Sequence, residues 1–306
     1  MNYPKVSIIF PNFNGGNEPL ECLASIQKLN YLKEKIETIV IDNGSSDGSD
    51  IEIKKRFPKV KLIKNKSNLG FAKAINKGIN KATGNFIFVT NDDLVFEKNS
   101  LKKLIEYARL HDEIGVIGGK IFYKSQPHKI SSAGFSINKW TGNIHSSANP
   151  NKIKEPDWIQ GCAMLIPKKV FKSLGLFDPK FAHQFEDYDF CLRVQRSGLK
   201  VIYLPSAKFW HGVSLTADKN KPLKYYHWYQ NKVRFLIKNL PLINIISILT
   251  FQILLIIPYR AIILRDGRFI PFLKGIFWNL KYIGKTLDAR NKMQNYQENQ
   301  NSTTNI

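Results

Sequence analysis

Four places along the chain carry side chains that could do chemistry. Asp42 follows a strand-like run at 36–41 and precedes Asn43-Gly44. Its carboxylate could accept a hydrogen bond from a base N–H or a ribose hydroxyl, or it could hold its own turn, as Asp does ahead of Asn-Gly. Asp92 and Asp93 follow Asn91 at the end of the apolar run 86–89. Paired carboxylates suit a hard divalent cation shared with phosphate oxygens, which would neutralise a diphosphate leaving group; an Asp there can also cap a helix. Glu186, Asp187 and Asp189 place three acids within four residues. Their repulsion can raise a pKa and suit one of them as a base, although acids also favour the first turn of a helix. His211, between Trp210 and Gly212, is either a metal ligand or a packed, hydrogen-bonded imidazole.

The elements that must position these groups alternate. Residues 6–10, 36–41, 60–63 and 85–89 read as strands, and 17–30 and 69–82 as helices. Such alternation predicts a parallel sheet covered by helices. Ligands of these sheets bind beyond the carboxyl ends of the strands. Asn12, Asn14, Asp42 and Asn91-Asp92-Asp93 all fall there. Further on, 134–145 reads as a hairpin region and 158–167 as a buried strand leading into a helix. Residues 187–197 form a helix with Asp189 spaced to pair Arg193, and 201–204 a strand.

The chain has 306 residues, and its Lys+Arg total of 46 against 24 Asp+Glu gives a formal net charge of +22. Such a surface seeks an anionic partner. Over half of the excess lies between Lys219 and Lys292, where fourteen cations face two acids. That stretch also contains 241–259, nineteen residues without charge, and an amphipathic helix at 269–285. In that helix Lys274, Lys281 and Lys285 share one face and Phe272, Ile276, Phe277 and Leu280 another. The uncharged run is long enough to span a thin bilayer, but the cations after it oppose translocation. A re-entrant or interfacial arrangement follows, with Trp278 and Tyr282 at headgroup level and the lysines on anionic lipid. A helical hairpin packed on the rest of the chain is the alternative. Three scattered cysteines show no metal or disulfide spacing and suit a reduced compartment. The start of the chain reads as a strand rather than a signal peptide.

Taken in order, these motifs resemble family 2 glycosyltransferases. Residues 6–14 (VSIIFPNFN) resemble the family's opening strand, and 40–49 (VIDNGSSDGS) its nucleotide-binding turn. Asn68-Leu69-Gly70-Phe71-Ala72 with Asn76 is similar to the signature of the rhamnosyltransferase-like branch. Asn91-Asp92-Asp93 stands where the family has its DXD-type motif. Residues 161–166 (GCAMLI), Phe177-Asp178 and Glu186-Asp187 resemble its acceptor-side elements, and 203–205 with Trp210-His211 completes the series.

The resemblance implies an α/β GT-A (nucleotide-diphospho-sugar transferase) fold, with a mostly parallel sheet flanked by helices and a C-terminal helical extension on the membrane. It implies inverting transfer from a UDP- or dTDP-sugar, with dTDP-rhamnose suggested by the branch. The acceptor would be lipid-linked or a polysaccharide, in cell-surface glycan synthesis. Pro11, Asn14, Asp42, Asn43, Gly70 and Phe71 would line the nucleotide site. Asp92, Asp93 and His211 would hold Mg²⁺ or Mn²⁺; alignment permits either aspartate as the main ligand. Asp187 would be the base, and Trp158, Gly161 and Glu186 would face the acceptor. Gln230 stands where relatives commonly carry an Arg before the Asn, which puts that Arg's role in doubt. Three regions are expected: catalytic at 1–215, membrane-associating at 216–290 on the cytoplasmic face of the cell membrane, and a disordered polar tail at 291–306.

Other classes fit less well. A dinucleotide-dependent oxidoreductase would need a GxGxxG after the first strand, and Pro11-Asn12-Phe13-Asn14-Gly15-Gly16 is not one. Nucleic-acid binding would explain the charge, but the basic excess coincides with an apolar tail rather than a recognisable module, so no nucleic-acid partner is expected. A nucleotide- or anionic-lipid-binding protein without transferase activity is the remaining alternative.

Overall fold

The computed structural model describes residues 3–146, 149–181, 184–212, 221–265 and 267–291. The boundary expected at 215/216 and the polar tail after residue 291 lie outside the described residues. The chain forms two compact units. The first comprises Met1–Ser136, Ser146–Ala182 and Glu186–Ser214; the second comprises Ile137–His145, His183–Phe185 and Leu215–Ile306.

The elements run β1 (Val6–Asn12), α1 (Glu18–Gln27), β2 (Ile36–Asp42), α2 (Ser49–Arg56), β3 (Lys61–Lys64), α3 (Phe71–Lys81), β4 (Phe86–Thr90), β5 (Leu94–Phe96) and α4 (Ser100–Arg109). Next come β6 (Ile114–Tyr123), β7 (Gln126–Ser132), β8 (Phe135–Ile137), β9 (Ile144–Ser146), β10 (Ala163–Pro167), α5 (Lys168–Leu174), α6 (Glu186–Arg196) and β11 (Lys200–His211). The main sheet has the order β3-β2-β1-β4-β10-β6-β11-β5, with β7 on β6. Strands β3, β2, β1 and β4 are parallel, and β10 joins them antiparallel.

Sequence explains the first half directly. Val6, Ile8, Ile9 and Phe10 of β1, and Ile87, Phe88 and Val89 of β4, are completely buried. Such continuous apolar runs belong to strands covered on both faces. Helix α3 lies on β1 through Gly78, where a Cβ would come within 2.4 Å of Ile9 Cγ2. Pro11 is tolerated in this central strand because of where it falls. Pairing of β1 with β4 ends at Ile9. The Asn12 carbonyl accepts from Asn43 N on the β2 side, so its neighbour Pro11 turns its missing N–H to the side without a partner.

Two expectations change. The buried strand expected over 158–167 is a strand only at β10; Trp158 instead makes an isolated bridge with Phe135. The strand expected at 201–204 runs on to His211 as β11. Its register on β6 shifts between Leu204 and Lys208, so Pro205-Ser206 marks a bulge rather than an end.

In the second unit, α7 (Lys221–Asn239) is followed by α8 (Leu242–Phe251) and α9 (Phe269–Lys281). The uncharged run is not one helix. Gln252–Ile256 and Tyr259–Leu264 are wound as wider π-helical turns on either side of Pro258, whose missing N–H interrupts the ordinary ladder. Among the described residues no helix is long and apolar enough to cross a membrane. Helices α7 and α9 meet at Gly275, and Asn279 Nδ2 donates to the Gln230 carbonyl at 2.9 Å. The apolar face expected for α9 is divided. Phe272 is buried against Tyr229, while Phe277 and Leu280 are exposed, because the packed face is the one that carries Gly275 and Asn279.

A Cβ on Gly275 would lie 2.9 Å from Gln230 N. Gly275→Ala is therefore expected to destabilise the α7–α9 pair by about 1–3 kcal/mol through overpacking. Thermal unfolding followed by circular dichroism would test it; an unchanged midpoint would mean that the helices separate at no cost.

Candidate active site

The first unit gathers most of the chemistry-bearing residues at the carboxyl ends of β1, β2 and β4. Asn12, the last residue of β1, organises the first group. Its Nδ2 donates to Asp42 Oδ1 (3.0 Å), Ser45 Oγ (3.1 Å) and Ser49 Oγ (2.9 Å). Asp42 Oδ2 accepts from the amides of Gly44 and Ser45, each at 3.2 Å. Asp42 is 2% exposed, so its carboxylate holds the β2–α2 turn. Asn14, at φ 52°, accepts from Ser46 N at 2.8 Å. Asp47 accepts from Gly16 N at 2.9 Å and from Ser49. Burial raises the Asp47 pKa, but the bonds from Ser49 and Gly16 outweigh it and hold the carboxyl below its ordinary value.

Asn43 Oδ1 accepts from Asn65 Nδ2 at 2.9 Å. Gly70 stands before α3 at φ 78°, and Phe71 opens that helix. Asn76 takes a structural role: it donates to Phe177 O at 2.8 Å and accepts from Phe177 N at 3.1 Å. Asn12→Ala would remove the two N–H donors that Asp42, Ser45 and Ser49 share and is expected to cost about 1–3 kcal/mol. Denaturant unfolding reads this directly, and a loss confined to nucleotide affinity would contradict the scaffold role.

The second group lies at the end of β4. A Cβ on Gly15 would touch Asn12 Oδ1 and Asp92 Oδ2, each at 2.7 Å, so Asp92 borders the turn. Strand β11 pairs with β5 so that His211 is opposite Leu94. This brings His211 Nε2 to 3.0 Å from Asp93 Oδ1 and 3.1 Å from Asn91 Nδ2. Asp93 and His211 are buried. Burial first, then the charge of Asp93, pushes the Asp92 carboxyl up to about 7. Two crowded carboxylates are the condition that a divalent cation relieves. The Asp93–His211 spacing of 3.0 Å equals the roughly 3 Å between neighbouring ligands of an octahedral ion with bonds near 2.1 Å. Among the described residues no three His, Cys, Asp or Glu groups converge on one point. Magnesium-type sites complete their shell with substrate phosphates and water, so the residues fit that kind of ion.

The third group is acceptor-side. Because β10 runs antiparallel to β4 with Ala163 opposite Thr90, the Gly161-Cys162 turn that leads into β10 lies at the same sheet end as Asn91-Asp92-Asp93. Gly161 N donates to Asp187 Oδ2 at 2.9 Å, and Tyr188 N to Asp187 Oδ1 at 2.8 Å. Phe71 Cε1 stands 3.7 Å from the Cβ position of Gly161. Burial pushes the Cys162 thiol up, and the charges of Asp93 and Asp187 both add to this, so that thiol senses both acid centres. Trp158 stacks on Tyr188 and Phe135, with centroids 4.3 and 5.2 Å away; it is a buried wall rather than an open platform.

Repulsion among the acids of α6 contributes to their states, but burial and pairing govern them first. Asp189 is fully buried and paired with Arg193 at 3.1 Å. Glu186 is raised well above the carboxylate range by burial first and by Asp187 second. Asp187 is raised by burial and pulled back by the Gly161 and Tyr188 amides. Gln184 and Phe185, immediately before Glu186, both have positive φ, near 70°, a conformation that is costly away from glycine. Asn12, Asp47 and Asn91 are the site residues whose roles sequence patterning does not mark. Only the strand-end position of Asn12 and Asn91 hinted at them.

An α/β sheet with carboxylates gathered at its parallel strand ends, and an acid across from them on α6, defines the GT-A fold. The chain belongs to glycosyl transferase family 2, whose family model matches residues 7–175. Solved structures agree on the fold. S. aureus TarS 1-349 in complex with UDP superposes with a TM-score of 0.58 at 17% identity, covering 98% of this chain and 91% of that one. GalNAc-T7 with UDP, GalNAc and Mn²⁺ gives 0.60 at 16% identity, covering 85% and 58%. Among curated relatives, the N-acetylglucosaminyl-diphospho-decaprenol L-rhamnosyltransferase of Mycobacterium tuberculosis (strain ATCC 25618 / H37Rv) is 23% identical over 203 residues, 58% of this chain and 66% of that protein. An uncharacterized glycosyltransferase of Rickettsia bellii is 28% identical over 205 residues, 63% of this chain and 28% of that protein.

Proposed function

We propose that this chain is an inverting glycosyltransferase that moves a sugar from a UDP- or dTDP-sugar to a lipid-linked or polysaccharide acceptor. A rhamnosyl donor is favoured by likeness to the mycobacterial enzyme. One observation carries the reading: β4–β10 pairing brings Asp92 and Asp93 to the same sheet end as Gly161, whose amide binds Asp187. One side of that end holds acids for a leaving diphosphate, and the other side holds an acid free of any cation partner among the described residues.

In this reading Asp187 takes the proton of the acceptor hydroxyl. The acceptor oxygen bonds to the anomeric carbon from the face opposite the diphosphate. The bond from that carbon to the phosphate oxygen breaks, and its electron pair leaves with the nucleoside diphosphate. Asp93 and His211, 3.0 Å apart, with Asp92 beside them as the alternative carboxylate, would hold Mg²⁺ or Mn²⁺ together with phosphate oxygens and water; when bound, the ion supplies charge neutralisation for that leaving group. The Asn12–Asp42–Ser45 turn keeps the nucleotide side rigid. We assign the work to the cytoplasmic face of the cell membrane. Support comes from the exposed Leu242, Ile243, Leu254, Ile262, Ile263 and Phe277 of the second unit and from its basic excess. Release from membranes by high salt alone would sink that assignment.

The test is nucleotide release from UDP-, dTDP- and GDP-sugars with Mn²⁺, Mg²⁺ or EDTA. Metal-dependent turnover of one donor, stimulated by a lipid-linked acceptor, is expected. A folded, membrane-extracted protein that neither binds nor turns over any donor would overturn the transferase reading.

A further inference from the structure

Helix α7 is buried along its second half, and much of what it buries is polar: Gln230, Asn231, Lys232, Arg234 and Lys238 are each less than a tenth exposed. Other cations of this unit find oxygens. Arg234 Nη1 donates to Thr286 Oγ1 at 2.8 Å, and Arg290 Nη1 to the carbonyls of Ile237 and Leu240, each at 2.9 Å. Lys232 is placed differently. Its Nζ lies 4.8 Å from the centre of the Trp228 ring. On another side is Gly142, where a Cβ would come within 3.4 Å of that nitrogen. Among the described residues no carboxylate pairs with Lys232. Burial and then the positive charge of Arg260 push its ammonium down to about 8.

A buried cation costs several kcal/mol unless an opposite charge meets it. Among the described residues no carboxylate meets it, so the niche suits an anion. The same unit supplies the other half of the ligand's description. Ile253, Leu254 and Leu255 are exposed on the segment after α8, and a wet apolar face of this kind calls for a hydrocarbon partner. An anion carried on a hydrocarbon chain is a lipid phosphate.

We infer that Lys232 receives the phosphate group of a membrane lipid. The inference rests on the reading of the second unit as membrane-facing, and it adds a specific seat to what would otherwise be a diffuse basic surface.

Calorimetry on the full chain tests it, with EDTA present so that no metal recruits the ligand. The probes are farnesyl diphosphate, a short-chain phosphatidylglycerol and inorganic diphosphate. One saturable site for a lipid-borne phosphate is expected, weakened about tenfold or more in Lys232→Met and nearly unchanged in Lys274→Gln, which removes an exposed cation of α9. Preference for farnesyl diphosphate would assign the seat to a prenyl-linked acceptor, and preference for phosphatidylglycerol to a bilayer lipid. Inorganic diphosphate binding as tightly as either would overturn the lipid assignment. Lys232→Met should also melt at the same or a higher temperature, since it replaces a buried charge that only the Trp228 ring faces with an apolar side chain. A lower melting temperature with unchanged lipid binding would make Lys232 structural and overturn the inference. Wild-type protein that ignores anionic vesicles altogether would instead overturn the membrane reading beneath it.

Discussion

Replacing Asp187 by Asn is expected to cut sugar transfer by ~10²–10⁴-fold, the usual worth of a positioned general base, with donor binding retained. The side chain keeps its shape and can still accept from the Gly161 amide, which sits 2.9 Å from Oδ2, so the variant should fold. It cannot take a proton. The pH profile gives an independent check. Burial holds the Asp187 carboxyl above the ordinary Asp value, and only the ionised form is a base. Wild-type activity should therefore fall as pH drops, along a limb lying above the usual Asp range, and that limb should be absent from the residual activity of the variant. Burial, and then the charge of Asp187, raise Glu186 well above the carboxylate range, which favours its protonated form. Glu186→Gln mimics that state and should keep most of the activity. If Glu186→Gln were as damaged as Asp187→Asn, the base would have been assigned to the wrong member of the pair.

Asp93→Asn is the second large effect, expected to lower metal-supported turnover by ~10²–10³-fold, the scale of losing a group that stabilises leaving-group charge. Asp93 is 8% exposed and its Oδ1 lies 3.0 Å from His211 Nε2. The variant keeps the packing and removes the charge. Nucleotide binding by calorimetry, with Mn²⁺ and with EDTA, supplies a readout besides activity. In the wild type, EDTA should weaken binding of the intact nucleotide-sugar; in Asp93→Asn, the two conditions should converge. An undiminished metal response in the variant would remove Asp93 from the ligand set and leave Asp92 to carry it.

Much of the donor half was legible because its strands are continuous apolar runs punctuated by turn residues, and burial on both faces needs nothing subtler. Strands β5, β6 and β7 were not. Strand β6 contains Gly115, Gly118 and Gly119, which read locally as loop. They are demanded by neighbours distant in sequence: a Cβ on Gly118 would lie 2.2 Å from Ile159 Cγ2, and one on Gly119 2.4 Å from the Ala207 carbonyl oxygen. Strand β7 is largely exposed and polar, so it shows no burial pattern. The acids were visible as types, but their states were not. Asp189 is neutralised by Arg193 as the helical spacing implied. Glu186 is governed by burial, which only the packed structure reveals. The meeting of His211 with Asp93 depends on a strand register set by a bulge, and no local pattern encodes it.

The turn wired by Asn12 has a consequence for turnover. Its amide nitrogen serves three acceptors, and Asp42 secures two further amides of the same loop. The ordering of this loop is complete before any ligand arrives, so the usual entropic penalty of closing a loop on a nucleotide is small. Rigidity of this kind does not depend on the sugar. On the proposed activity, the spent nucleoside diphosphate meets the same ready-made cradle as the intact donor. Product would compete with substrate, and departure of the nucleotide, rather than formation of the glycosidic bond, would pace the cycle.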